Sequence, residues 1–285
     1  MYKEAYYGNP NYVSKLTEYS SAIRELEISE LIKAQFPYTD DNTPYYADYF
    51  CLTEFICGAP DSKYITVGGD DYDTYAIAPY CGVPLNNYLE QNTNIPLKNY
   101  LMENKNGIII SINELCNLVP ALQYLTRGIQ KLHMNHIFHK DIHDENILYD
   151  NNTGLLRLID FGLAEDLSDR NSNSTAFLSN EYHDLDYLVK NVIIPLLEFL
   201  ISSRISGIPT RIKYPYVETF YYKIKDFYAT IYRHLNPNRK TPWDKLETSD
   251  RLEQVTRLLN LIQYFIELKT LDFYKMDYLN SFNNE

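Results

Sequence analysis

The chain has 285 residues, 45% of them hydrophobic, with 26 Lys and Arg against 38 Asp and Glu. That length and apolar content suit one large domain or two small lobes and exclude a disordered chain. A formal net charge of −12 excludes a sequence-independent grip on nucleic acid, which needs Lys and Arg facing phosphates.

Cys51, Cys57, Cys81 and Cys116 include no Cys-x-x-Cys pair. Neither a zinc knuckle nor a thioredoxin-like motif is indicated, and free thiols in a reducing compartment are expected. The stretch "MYKEAYYGNP" lacks the apolar core of a signal peptide. The most apolar run, "VIIPLLEFLI" (192–201), is too short to cross a bilayer and contains Pro195 and Glu198. It reads as a buried helix. The expectation is an intracellular, cytoplasmic protein with no membrane span.

In chain order, "SSAIRELEISELIKA" (20–34) predicts an amphipathic helix capped by Ser20 or Ser21, with Ile23, Leu26 and Leu31 as its apolar stripe. Residues 39–75 alternate turn signals, "TDDNTP" and "GGDD", with short apolar runs, "YFCLTEFIC" and "YITV", which fit strands joined by loops. "YAIAPY" (75–80) reads as another strand, and "GVPLNNYLEQ" as the start of a helix. The clearest helix is "SINELCNLVPALQYLTRGIQKLH" (111–133). Ser111 and Glu114 form a capping box, Leu115, Leu118, Leu122, Leu125, Ile129 and Leu132 draw one buried stripe, and Pro120 is expected to bend it. "ILY" and "LLRLI" flank the turn "DNNTG" and predict a hairpin. From Asp184 onward the pattern is helical, in "DLDYLVKNVIIPLLEFLI", "VETFYYKIKDFYATIYRHL" and "SDRLEQVTRLLNLIQYFIELKTL".

The stretch "HKDIHDENILYD" (139–150) concentrates the chemistry. One reading is a metal cluster of His133, His136, His139 and His143. The other is a phosphoryl-transfer loop, which must hold Mg²⁺, orient a hydroxyl and neutralise charge on the moving phosphate. Carboxylate and amide oxygens suit Mg²⁺, and a base must reach the acceptor hydroxyl. Asp141 and Asn146 stand five residues apart, and the hairpin returns the chain to Asp160 in "LIDFGLA". That geometry predicts one base beside two metal ligands.

"HKDIHDEN" followed by "IDFG" resembles the catalytic loop and metal-binding motif of the protein kinase superfamily, H-R-D-x-x-x-x-N and D-F-G. The resemblance implies an α+β, bilobal protein-kinase-like fold. A truncated, β-rich N-lobe would span 1–80 and a mainly helical C-lobe 81–285. It implies ATP and Mg²⁺ as cofactors. Asp141 would be the catalytic base and Asn146 and Asp160 the Mg²⁺ ligands. His139 and Phe161 would be buried packing elements, and Leu148 would lie under adenine. Ala78 would stand near the gatekeeper position, and backbone groups of Pro79 and Tyr80 would meet adenine. In "ELEISELIKAQFP", Glu27 stands where the family has the Glu of its αC helix, with Glu25 and Glu30 as rivals. Asp184, with Asp186 as rival, resembles the buried Asp of the αF helix.

Three departures from the pattern stand out. No G-x-G-x-x-G occurs, and "MYKEA" stands where V-A-I-K is expected. Lys3 would then be the ATP lysine, with Lys15 a poorer candidate because it lies close to the start of the helix bearing Glu27. An open phosphate site, completed by a partner, is the corresponding expectation. His143 replaces the catalytic-loop Lys of Ser/Thr kinases, a feature also resembling small-molecule kinases of the aminoglycoside and choline type. The segment 163–183 is short, lacks A-P-E and offers Arg170 alone, so it is not expected to act as a phosphorylation switch. The combined reading is a minimal Ser/Thr protein kinase resembling those of large DNA viruses, acting on a protein substrate. A pseudokinase that binds partners without turnover and a small-molecule kinase remain the alternatives.

Overall fold

The computed structural model describes residues 2–4, 11–36, 45–58, 65–67, 70–88, 109–110, 112–171, 174–196, 204–205 and 248–267. The capping-box residue Ser111 and the helix expected around "VETFYYKIKDFYATIYRHL" lie outside them. The fold is α+β, built from helices and mostly antiparallel sheets. It divides into two compact units, 1–84 with 128–169 and 85–127 with 170–285.

In the first unit, β1 (Tyr2–Glu4), β2 (Tyr12–Thr17), β3 (Phe55–Gly58) and β6 (Thr74–Pro79) form one antiparallel sheet in the order β1-β2-β6-β3. β4 (Ile65–Val67) and β5 (Asp70–Tyr72) form a separate hairpin. α1 (Tyr19–Gln35) begins two residues after β2 ends. No side chain of its own caps it. Instead the Tyr19 amide donates to Asp73 Oδ1 at 2.8 Å, so the cap that Ser20 or Ser21 was expected to give comes from the residue just before β6.

The buried face of α1 differs from the expected apolar stripe. Ala22, Glu25, Ile28, Ser29 and Ile32 are buried, while Ile23, Leu26 and Leu31 are half-buried. The spacing is still that of one helical face. The face is rotated because it carries a carboxylate and a hydroxyl inward, and a hydrophobicity pattern reads those as outward positions.

β10 (Ile147–Tyr149) pairs antiparallel with β11 (Leu156–Leu158) on one side and with β7 (Val83–Pro84) on the other. Gly82, at φ 131°, precedes β7. A Cβ there would run into the Tyr149 carbonyl, so this close passage past β10 requires glycine. Arg157 braces the same region, donating to the carbonyls of Ala47 (2.6 Å) and Cys81 (3.2 Å) and pairing with Asp150 at 2.9 Å. Burial alone would lift the Asp150 carboxyl. Hydrogen bonds from Arg157, Thr153 and the Asn152 amide outweigh it and hold the pKa below the ordinary value.

Cys51 and Cys81 are joined by a disulfide. This corrects the expectation of free thiols for that pair. Thirty residues of sequence separate them, but the fold brings their Cα atoms to 6.1 Å, within bridging range. Cys57 is free and exposed. The expectation of a cytoplasmic home rested in part on free thiols and loses that support.

In the second unit, β8 (Ile109–Ile110) pairs in parallel with β12 (Arg204–Ile205). α2 (Ile112–Met134) contributes residues to both units, with Pro120 inside it. The described part of its expected stripe, Leu118, Leu122, Leu125, Ile129 and Leu132, is fully buried. α3 (Thr175–Leu188) is capped by the Ser174 hydroxyl, passes through one π-helical turn at Val189–Ile193, and packs against α4 (Thr248–Glu267). The α4 face is the buried series Val255, Leu258, Ile262 and Ile266. Val192, Ile193 and Leu196 are buried too, in agreement with the reading of that apolar run as core. Asp184 is fully buried, and Asp186 pairs with Lys190 at 2.5 Å.

Candidate active site

The catalytic-loop stretch is organised by its own side chains. β9 (Ile137–Phe138) leads into it. His139, fully buried, accepts from the Asp141 amide at Nδ1 (3.2 Å) and lies 2.7 Å from the Ile159 carbonyl through Nε2. With Nδ1 accepting, the proton sits on Nε2 and is donated to Ile159. One imidazole thereby ties the residue before Asp160 to Asp141. Lys140 adopts φ 68°, a left-handed conformation costly for a side-chain-bearing residue.

Asn146 lies beside Asp141. Its Nδ2 donates to the Asp141 carbonyl at 2.9 Å and to Oδ2 at 3.0 Å. Both amide protons are thus committed to Asp141, which leaves the amide oxygen available to a cation. His143 Nε2 sits 3.5 Å from Asp141 Oδ2, while its Nδ1 accepts the Glu145 amide at 3.3 Å. Asp144 is pushed above the ordinary carboxylate value, chiefly by burial.

The hairpin carries Asn146 and Asp160 to one end. Its ladder closes at Ile147 opposite Leu158, and the Ile159 amide donates to the Asn146 carbonyl at 3.0 Å. Asp160 follows in a left-handed conformation, φ 64°, and caps a 3-10 turn at Phe161–Leu163. Phe161 is fully buried, edge-on to His139 at 4.8 Å and to Phe50 at 5.9 Å. Those two rings set the direction in which Asp160 leaves the hairpin.

Three charged groups converge here. Lys15, on β2, pairs with Glu25 of α1 at 3.3 Å and with Asp160 at closer range. Thr53 donates its hydroxyl to the other Glu25 oxygen at 2.7 Å. Burial works against the Lys15 ammonium, but Glu25 and Asp160 outweigh it and hold its pKa above the ordinary lysine value. Burial, opposed by Lys15, pushes the Glu25 carboxyl up.

This arrangement differs from the expected pair of Lys3 and Glu27. Lys3 lies on β1 opposite Ser14, one strand away from the Lys15 position. Glu27 is exposed, and Glu30 pairs with Lys33 at 2.7 Å on the surface. Only Glu18 separates β2 from α1, and Glu25, on the buried face of α1, comes back to Lys15. Closeness in sequence, which made Lys15 look unsuitable, is what allows the contact. The signal available in the sequence is "YVSK" (12–15), a Lys closing a short strand-forming run, with Thr53 and Glu25 giving no comparable pattern.

An apolar cluster adjoins the charged groups. Ala78, Leu148, Ile159 and Cys51 are buried together, with Val13 and Cys81 packed against them. Ala78 and Leu148 thus share one apolar wall. Pro79 closes β6, its carbonyl 3.1 Å from Cys51 Sγ, and Tyr80 is exposed just beyond.

Residues 73–191 match the family model of the protein kinase domain. That stretch is similar to the protein kinase domain. The matched stretch holds Asp141, Asn146 and Asp160, while Lys15 and Glu25 lie before it. No curated protein sequence matches the chain. Among the described residues no helix is long and apolar enough to cross a membrane.

Proposed function

We propose that the chain transfers the γ-phosphoryl group of ATP to a hydroxyl acceptor, a Ser or Thr of a protein. The observation that carries this reading is the convergence of Lys15, Glu25 and Asp160 beside the Asp141–Asn146 pair. A module that only binds partners has no need of all five groups in one place.

Asp160 and Asn146 supply hard oxygen ligands and would hold Mg²⁺, which when bound neutralises charge on the nucleotide phosphates. Lys15 would meet the phosphates from the opposite side, oriented by Glu25. Asp141 accepts the proton of the acceptor hydroxyl as its oxygen bonds to the γ-phosphorus. The bond from that phosphorus to the bridging oxygen breaks, and ADP departs with the electron pair. Asn146 fixes the carboxylate, since its amide holds Asp141 Oδ2 at 3.0 Å. His143, 3.5 Å from the same oxygen, donates from Nε2 and orients Asp141. The apolar wall of Val13, Ala78, Leu148 and Ile159 suits the adenine ring, with Pro79 and Tyr80 along its edge.

The deciding experiment is Mg²⁺-dependent ATP turnover measured over protein acceptors and, separately, aminoglycoside- and choline-like small molecules. Transfer to Ser or Thr residues supports the proposal. Transfer only to small molecules favours the small-molecule kinase, and nucleotide binding without turnover favours the pseudokinase.

A further inference from the structure

The Cys51–Cys81 bridge lies inside the apolar wall that adjoins the charged groups. Cys51 belongs to the buried cluster of Ala78, Leu148 and Ile159, and Cys81 packs against it. Cys81 follows Pro79 and Tyr80 along the edge of that wall. Backbone contacts anchor this edge on its own side. The Tyr80 amide donates to the Asn11 carbonyl at 2.7 Å, and the Cys81 carbonyl accepts from Arg157 at 3.2 Å. Gly82 then passes tightly against the Tyr149 carbonyl. Cys51 is placed differently. Its amide donates to the Leu158 carbonyl at 3.0 Å. Two residues further on, the Thr53 hydroxyl holds Glu25, which pairs with Lys15. The bridge is therefore a covalent tie between the edge assigned to the base and the segment that sets the phosphate lysine.

We propose that this bridge is a thiol–disulfide exchange site whose redox state sets the nucleotide affinity of the protein. The proposal rests on the phosphoryl-transfer function above. The co-reactant is a dithiol. Cys51 is buried, whereas Cys81 is half-buried, so attack falls on the more accessible Cys81 sulfur. A thiolate of the dithiol bonds to Cys81 Sγ, the bond between the two cysteine sulfurs breaks, and Cys51 leaves as a thiolate that takes up a proton. The second thiolate of the dithiol then displaces Cys81, which is protonated in turn. The bridge gains two electrons and two protons, all supplied by the dithiol, which closes into a disulfide. Reduction leaves the backbone anchors of residues 80–83 in place and removes the tie to residue 51. The base edge then loses its fixed spacing from the wall, and the segment carrying Thr53 is freed from that edge. A site that has lost its preorganisation binds more weakly, because part of the binding energy goes into ordering it. In an oxidising compartment the chain would hold nucleotide tightly, and in a reducing one loosely.

The test combines ATP calorimetry with amide hydrogen exchange, both without denaturant, before and after treatment with dithiothreitol. Reduction should raise the Kd for ATP by about tenfold. It should accelerate exchange of amides 80–83 while amides 128–132 of α2 stay protected. Removing the reductant and adding oxidised glutathione should restore both readouts. Cys51→Ala with Cys81→Ala should sit at the reduced values and ignore reductant, and Cys57→Ser should follow the wild type in both states. An unchanged Kd on reduction would overturn the proposal. So would loss of protection in α2 as well, which would make the bridge a staple of the whole fold. Reversible, local acceleration at 80–83 in a chain that binds no ATP in either state would uphold the exchange site and overturn the function proposed above instead.

Discussion

Lys15 and Glu25, ten residues apart in the chain, meet at 3.3 Å with side chains only 15% and 3% exposed. The pair is inward-facing and shares the lysine with Asp160. Lys15→Met should leave two carboxylates without their cation. We expect a stability loss of about 2 kcal/mol, within the range for a buried charge deprived of its partner, and loss of most ATP affinity. Glu25→Gln should weaken activity less, since Asp160 still holds the lysine. Lys3→Met and Glu27→Gln should change neither property. Titration of ATP against the four variants checks the assignment, and strong weakening by Lys3→Met would reverse it.

Asp141→Asn should lower kcat by a factor of about 10²–10⁴ without altering ATP affinity. The substitution keeps the shape that Asn146 grips at 3.0 Å. A folded variant turning over at the wild-type rate would show that another group takes the acceptor proton.

Asn146→Ala and Asp160→Ala should abolish the Mg²⁺ dependence of ATP binding. Calorimetry with and without the metal reads this directly. Asp160→Ala should also perturb Lys15, whereas Asn146→Ala should act on the metal and on the orientation of Asp141. Undiminished metal dependence in both variants would mean that their oxygens are structural.

Asp150, held below the ordinary carboxylate value despite its burial, links stability to acid. A carboxyl with a depressed folded pKa contributes stability above its unfolded value of about 3.9, and that contribution is lost as pH falls through the folded value. Asp150→Asn should therefore cost about 1–2 kcal/mol at neutral pH and flatten the acid limb of the unfolding curve. Denaturant midpoints at pH 7 and below pH 4 check both halves. An unchanged acid limb would place the linkage on another group.

The Cys51–Cys81 bridge closes a separation of 30 residues. On loop-closure entropy it should contribute about 3–4 kcal/mol. Adding a dithiol reductant should lower the urea midpoint accordingly. Cys51→Ala with Cys81→Ala should match the reduced protein and no longer respond to reductant, and Cys57→Ser should behave as wild type. A reductant-insensitive wild-type midpoint would count against a stabilising bridge.

The residues 139–162 carried their meaning in the sequence because their spacing is local. Five residues set Asp141 against Asn146, and a hairpin readable from "ILYDNNTGLLRLI" returns the chain to Asp160. The same holds for α2, whose stripe needs only helical periodicity. The α1 face was not legible. Its inward side chains include Glu25 and Ser29, and hydrophobic periodicity assigns polar residues outward whatever they meet. Tertiary structure alone decided that Lys15 rather than Lys3 faces Asp160, because the choice depends on which strand lies next to β6 and on the tight turn into α1. It decided likewise that Asp73 caps α1, that Thr53 holds Glu25, and that Cys51 reaches Cys81. Each of those contacts joins groups that no fixed sequence interval relates. Pairing of that kind is set by how elements pack, and a linear pattern does not record it.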